Sequence, residues 1–358
     1  MPLAASHSPR CGQPHCLPYK NFRYTKQAVI VLFSLGVAAL TGALAAPWSG
    51  VHAGELLRLE QAATAMGSTY SIAVYGEDQT VLETAVEQAF DEVRRLDDLL
   101  SNYKPESEWS AVNRAAAVRP VEVSPELFEL LAECVGYSRA SEGAFDITVG
   151  PLMRVWGFYK GTGHLPKRSE IQAAEAHTGW ENLVLDRATR TVHFRKKGIE
   201  IDPGGIGKGY AVDRMVAVLR QNGIKTALVA GSASSIYAMG APPGDKGWPI
   251  EIKDPRDPER VAVAQVVLKD ESMSTSGSYE KFFKADGRVY SHIMDPRTGY
   301  PAEGMLSVSV IAPRTLDSEA WTKPLFIHGR EWAAKHMPHQ MRAFFCEDKA
   351  NQPCAWLQ

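Results

Sequence analysis

Ile201-Asp202-Pro203-Gly204-Gly205-Ile206-Gly207-Lys208-Gly209-Tyr210 is a glycine-rich turn that opens a helix. The helix continues through Val212, Val216 and Leu219 and stops at Gly223. Beyond it short β segments dominate: Ala227–Ala230, Ile250–Lys253, Val261–Leu268, Val289–Ile293 and Ser307–Ile311, with Val192–Phe194 just before the turn. Glu319 to Phe326 then leads into a final helix near Trp332. Upstream, Thr69 to Tyr75 alternates apolar and polar residues as a strand does, and Val81, Ala85, Ala89, Val93 and Leu96 fall at helical spacing within 81–100. A second helix is expected over Pro125–Ser141. Strands and helices mix without regular βαβ alternation, which makes the fold class α+β rather than a doubly wound sheet.

The chain has 358 residues, 45% of them hydrophobic and 22% charged, enough for a sizeable core in one large or two modest domains. Lys and Arg total 39 against 41 acidic residues, a net charge of −2, so no overall field favours nucleic acid, and nucleic-acid binding is excluded as a general function. Without an internal repeat or long linker, one unit with subdomains is the simplest organisation.

Residues 1–26 carry Arg10, Lys20, Arg23 and Lys26 and no acid, and the apolar run Ala28–Ala46 follows without a charge. This is the pattern of an export signal, with small-residue cleavage sites after Ala45 and Ala53. The run is also close to the roughly 20 residues that span a bilayer. Residues 1–53 are therefore read as a signal peptide or N-terminal membrane anchor, and 54–358 as a globular domain outside the cytoplasm. An oxidising compartment would allow Cys346 and Cys354 to pair across a short polar turn, the alternative being two free thiols. Cys134 sits at a helix core position and is expected to be inert.

Four segments place glycine and polar residues where an ordinary core does not need them. In the glycine-rich turn, backbone amides and Lys208 suit an anion, although the same residues also make a tight strand-to-helix connection. It is no Walker A loop, because Asp202 stands five before Gly207 and no Ser or Thr follows Lys208. The second segment is a hydroxyl-rich turn, Ser274–Glu280, followed by Tyr290–Tyr300, in which His292 is a candidate proton acceptor and Asp295-Pro296-Arg297-Thr298-Gly299 a rigid turn. The third is Gly143-Ala144-Phe145-Asp146-Ile147-Thr148-Val149-Gly150-Pro151-Leu152, ending in Trp156-Gly157-Phe158. The fourth is Ala65-Met66-Gly67-Ser68-Thr69, with Leu100-Ser101-Asn102-Tyr103 downstream.

In this order and at these separations the four segments resemble the ApbE family, the FAD:protein FMN transferases, over roughly residues 60–330. The resemblance implies mixed, largely antiparallel sheets with packed helices and a flavin cleft between subdomains. It also implies an exported protein, periplasmic or anchored facing the periplasm, that uses Mg²⁺ to move FMN from FAD onto a Ser or Thr hydroxyl and releases AMP. By motif, Met66, Tyr103, Ala144, Phe145, Asp146, Asp202 and Lys208 would contact FAD, Ile293 or Met294 would lie beside it, and His292 would be the general base. The acceptor implied is a partner protein with a Ser/Thr-Gly-Ala-Ser/Thr-like motif, typically a subunit of a membrane redox pump, which would associate this protein with the inner membrane.

The metal motif departs from the family. Where typical members read Ala-Asp-Ala-Leu-x-Thr, this chain reads Ser318-Glu319-Ala320-Trp321-Thr322-Lys323. The resemblance leaves Glu319 and the Gly205 carbonyl as metal ligands and puts Lys323 at the usual Thr position, where a protonated ammonium has no lone pair to offer. Lys323 is expected to meet the diphosphate while Glu319 holds it in a salt bridge, which weakens the need for Mg²⁺; the alternative is that Lys323 turns outward and Glu319, Gly205 and waters hold Mg²⁺. A second departure is Ala230-Gly231-Ser232-Ala233-Ser234-Ser235, in place of the family's Asn-Leu-Gly-Gly-Asp/Asn run. The alternatives are an FAD-binding protein with weak or lost transfer and a hydrolase giving FMN and AMP.

Overall fold

The alternation at Thr69–Tyr75 becomes the strand Ser68–Gly76, whose Ile72 and Val74 face one side of a sheet and Ala73 the other. The structure is a computed structural model that describes residues 56–257, 262–349 and 353–357, all within one unit, His52–Gln358. The expected signal or anchor at 1–53 lies outside the described residues. Among the described residues no helix is long and apolar enough to cross a membrane.

Eight strands form the main sheet, every neighbouring pair antiparallel: Leu57–Ala65, Ser68–Gly76, Thr226–Gly231, Ser235–Met239, Glu271–Gly277, Met305–Ala312, Arg342–Glu347 and Ala355–Trp356. They lie side by side in the order in which the chain makes them. The result is a meander interrupted by four long insertions, 77–225, 240–270, 278–304 and 313–341, of which the first and third carry most of the site. The first insertion carries six α-helices and a three-stranded sheet; the third carries the hairpin Phe282–Ala285/Arg288–Ser291 and the short pair Met294–Asp295/Tyr300–Pro301. The fold is α+β, as the sequence indicates.

Local chemistry explains the helices. Asp78 caps Gln79–Leu100 by accepting the Val81 amide at 3.1 Å, and Leu82, Val86, Phe90 and Val93 bury its apolar face. Val81 itself, counted in the apolar pattern, is exposed; Leu82 takes the core position instead. Ser124 caps Pro125–Ala140, with Pro125 in the first turn where its missing N–H costs nothing. Helices Gln79–Leu100 and Gly207–Gln221 cover one face of the sheet. The hairpin Trp248–Ile252/Ala264–Leu268 covers part of the other through Trp248, Ile250 and Leu268.

Two segments differ from the sequence expectation. Ser274–Glu280, expected as a turn, lies largely in the interior strand Glu271–Gly277. Its hydroxyls are paired: Ser274 with Ser318 at 2.8 Å, Ser276 with Thr322 at 2.7 Å, and Thr275 with Ser309 at 2.7 Å. Glu319–Phe326 is no lead-in to a helix; it is part of the helix Thr315–His328, which is buried on nearly every side and contains Pro324. A helix without a polar face leaves no amphipathic period to read. Cys346 and Cys354 are joined as a disulfide, and Cys134 is buried, where desolvation pushes its thiol up and leaves it unreactive.

Candidate active site

The glycine-rich turn enters the helix Gly207–Gln221, and Asp202 is its anchor. Asp202 Oδ1 accepts the Gly204 amide at 2.7 Å, while Oδ2 accepts from Tyr159 Oη at 2.7 Å and from Asn102 Nδ2 at 2.9 Å. Burial raises its pKa, and the Tyr159 and Gly204 donors oppose that rise. Asn102 Oδ1, beside Asp202, is buried without a hydrogen-bond partner among the described residues. Tyr103 is 75% exposed and meets Tyr159 edge to face at 6.5 Å. The sequence reading quotes Asn102 and missed Tyr159, whose one local signal is its place directly after Trp156-Gly157-Phe158.

A second set surrounds the turn from other elements. A Cβ on Gly205 would lie 3.4 Å from Phe145 Cε2 and 3.7 Å from Lys323 Cε, and one on Gly207 would lie 3.2 Å from Met66 Cε. Met66 and Gly67 form a two-residue hairpin turn with φ of +50° and +66°, which brings Met66 there. Lys208 starts the helix beside the end of strand Thr226–Gly231; a Cβ on Gly231 would lie 3.5 Å from Lys208 Cβ. Among the described residues Lys208 makes no hydrogen bond or ion pair.

The expected salt bridge between Lys323 and Glu319 is replaced by two other bonds. Glu319 Oε2 accepts the Gly209 amide at 2.5 Å, and Lys323 Nζ donates to the Glu319 backbone carbonyl at 2.9 Å. Burial lowers the Lys323 pKa to about 8, with Glu319 resisting and Lys208 adding to the shift. Thr322 Oγ1 also donates to the Glu319 carbonyl at 2.7 Å. One Glu319 oxygen is thus spent on a helix amide, an ammonium stands beside Gly205, and among the described residues no three Asp, Glu, His or Cys side chains gather as a metal cage. The donors around Gly205 and Glu319 do not fit a divalent cation.

His292 follows the strand Arg288–Ser291. The Lys281 carbonyl accepts both the His292 backbone N–H at 2.9 Å and Nδ1 at 3.1 Å. A carbonyl only accepts, so Nδ1 carries the proton and Nε2 keeps its lone pair. Burial first, and then the positive charges of Lys281, Lys208 and Lys323, push the His292 pKa down to about 3. Its ring meets Phe158 edge-on at 6.5 Å.

Five further residues of the expected flavin contacts, Ala144, Phe145, Asp146, Ile293 and Met294, are buried. Ala144 and Phe145 are nearly fully buried, and Phe145 supports the turn from below with Tyr137 at 5.7 Å. Both oxygens of Asp146 are engaged, Oδ1 by the Thr148 amide and hydroxyl and Oδ2 by the Trp180 amide, each at 2.7 Å. Burial raises the Asp146 pKa to about 6, and the Thr148 and Trp180 donors oppose it. Ile293 packs in the core with Met305, Val308 and Trp321, while Met294 joins Trp156 in a separate cluster. A cavity of about 240 Å³ lies elsewhere, lined by Tyr210, Asp213, Val216 and Arg220 of the same helix, and includes none of these residues.

The model of the ApbE family matches residues 66–345. An FAD:protein FMN transferase of Klebsiella pneumoniae is 34% identical over 273 residues, 75% of this chain and 82% of that protein. One from Salmonella typhimurium is 34% identical over 292 residues, 78% and 81% of the two chains. Among solved structures, the ApbE protein of Thermotoga maritima superimposes with a TM-score of 0.75 at 30% identity, over 82% of this chain and 95% of that one. The apo flavinyl transferase ApbE of Pseudomonas stutzeri gives 0.74 at 30% identity, over 84% and 94%. With the family model matched over residues 66–345 and relatives at 34% identity over three quarters of its length, the chain belongs to the ApbE family.

Proposed function

We propose that this protein is an FAD:protein FMN transferase, which moves the FMN half of FAD onto a Ser or Thr hydroxyl of an acceptor protein. The observation that carries the reading is His292: its Nδ1–H is held by the Lys281 carbonyl, Nε2 is left as a base, and the charges of Lys208 and Lys323 act on it. The acceptor hydroxyl attacks the flavin-side phosphorus and His292 Nε2 takes its proton. The phosphorus–oxygen bond of the anhydride breaks, and AMP leaves with the bonding pair. A neutral imidazole is the form this step needs, and the surrounding cations keep it neutral.

The remaining residues bind. Tyr103 offers an exposed aromatic face, and the turn anchored by Asp202 offers backbone to an anionic ligand. The basic segment and apolar run at 1–46 support export to the periplasm, with the domain either free or anchored at the inner membrane. The Cys346–Cys354 disulfide suits such an oxidising compartment. The acceptor would be a periplasm-facing protein, such as a membrane redox subunit, with a Ser/Thr-Gly-Ala-Ser/Thr-like segment.

The test is incubation of the protein with FAD and a peptide carrying that segment. FMN mass on the peptide with one AMP per label is expected. AMP without a labelled peptide would identify a hydrolase, and retained FAD without AMP would identify a binding protein.

A further inference from the structure

We propose that Lys323 and Lys208 together neutralise the diphosphate of the flavin substrate, so that substrate binding by this protein does not depend on a divalent cation. The inference rests on the flavin-transfer reading and concerns the part of the site that reading leaves open, the source of the positive charge.

Two ammonium groups converge on the glycine-rich turn from different elements. Lys323 comes from the helix Thr315–His328 and lies against Gly205; Lys208 comes from the first turn of Gly207–Gln221. The Lys208 charge acts on Lys323, and both charges act on His292. Lys323 Nζ spends one of its three donors on the Glu319 carbonyl, which fixes its direction, and makes no other hydrogen bond among the described residues. Lys208 Nζ makes no hydrogen bond among the described residues.

Two like charges held near each other in a partly buried site repel, and the arrangement is costly until an anion enters. The Glu319 carboxylate offsets only part of this charge: its Oε2 is turned to the Gly209 amide, and burial still lowers the Lys323 pKa against it. The Glu319 carboxylate sits on the Gly209 amide in the first turn of helix Gly207–Gln221, so two ammonium groups stand beside one carboxylate. An anionic phosphoanhydride matches the remaining positive charge in sign. The same ammonium that meets it occupies the ground beside Gly205 and Glu319, which is why those two residues do not make a cation site here.

The experiment is a titration of FAD into the full-length protein, followed by flavin fluorescence, in EDTA and again in Mg²⁺, with riboflavin as a ligand that lacks the diphosphate. The variants are Lys323→Met, Lys323→Arg and Lys323→Thr, each checked for an unchanged melting curve. Expected are wild-type FAD affinities equal within about threefold in the two conditions. Lys323→Met should weaken FAD by about tenfold or more in EDTA, the size of one charge-assisted hydrogen bond, and leave riboflavin unchanged. Lys323→Arg should retain binding, and Lys323→Thr should gain a response to Mg²⁺. Wild-type protein that binds FAD only with Mg²⁺ would overturn the inference and leave the flavin site intact; this comparison needs no variant to fold. Equal loss of riboflavin and FAD in Lys323→Met would also overturn it. No FAD binding by the wild type in either condition would remove the flavin-transfer reading itself.

Discussion

The Glu319 carboxylate accepts the backbone N–H of Gly209 at 2.5 Å, although the two residues stand 110 positions apart. This bond joins the first turn of helix Gly207–Gln221 to the side of helix Thr315–His328. The helices cross closely because position 209 has no side chain: a Cβ there would lie 2.5 Å from the Thr315 carbonyl oxygen and 2.9 Å from Glu319 Oε2. The crossing sets the distance between Lys208 and Lys323, and hence the shape of the site.

Glu319→Ala strands the buried Gly209 amide and should cost about 1.5–3 kcal/mol, whereas Glu319→Gln keeps an acceptor oxygen and should cost less. Chemical denaturation measures both. A Glu319→Ala protein as stable as the wild type would contradict the structural role assigned to this bond.

His292→Ala should reduce transfer by about 10²–10⁴-fold with FAD affinity within several-fold, because the imidazole moves a proton and holds no phosphate. Burial and the charges of Lys281, Lys208 and Lys323 place its pKa at about 3, below the usual 6.5. The base form therefore persists as pH falls, and the transfer rate should show no loss between pH 8 and pH 5 that is traceable to this residue. A drop centred near pH 6.5 that vanishes in the variant would show an ordinary, solvated histidine.

Tyr159→Phe removes one of three donors from the buried Asp202 carboxylate. Stability should fall by about 1–2 kcal/mol, and FAD should bind more weakly, since the turn that Asp202 holds loses a fixed point. Tyr103→Phe, at an exposed ring, should leave stability unchanged. Melting curves and FAD titrations of the two variants, side by side, separate support of the turn from contact with the ligand.

Cys354→Ser opens the short loop between Cys346 and Cys354 and should lower unfolding stability by about 2.5 kcal/mol on loop-entropy grounds. Reductant should shift the wild-type denaturation midpoint by a similar amount and leave the variant where it is. Arg330, which donates to the carbonyls of Phe345, Ala355 and Trp356, keeps the last strand docked in both.

Much of the fold was legible because strand and helix signals are local. Ile72 and Val74 alternate with Ala73, and Leu82, Val86 and Phe90 repeat at helical spacing, whatever they pack against. Glu271–Gly277 was not legible: a run of Ser and Thr has the composition of a turn, and it becomes an interior strand only because Ser309, Ser318 and Thr322 supply its hydroxyls with partners. Thr315–His328 hid for the opposite reason, since a helix wrapped by protein shows no polar face, and Pro324 argues locally against it.

The sequence by itself determined the α+β class, the basic-then-apolar pattern at 1–46 and the residue types of the site, because glycine-rich turns, a strand-end histidine and an altered metal motif are each written in a few consecutive residues. Tertiary structure alone decided what those residues do to one another. It gave the Glu319 carboxylate to Gly209 and its carbonyl to Lys323, brought Tyr159 to Asp202, turned Asp146 and Ile293 inward, and fixed the proton on His292 Nδ1. Hydrogen bonds and Coulomb forces act over a few ångströms of space, and the Glu319–Gly209 and Tyr159–Asp202 pairs are 110 and 43 residues apart along the chain. Only the packing of the segments between strands against the sheet and one another brings such partners within reach.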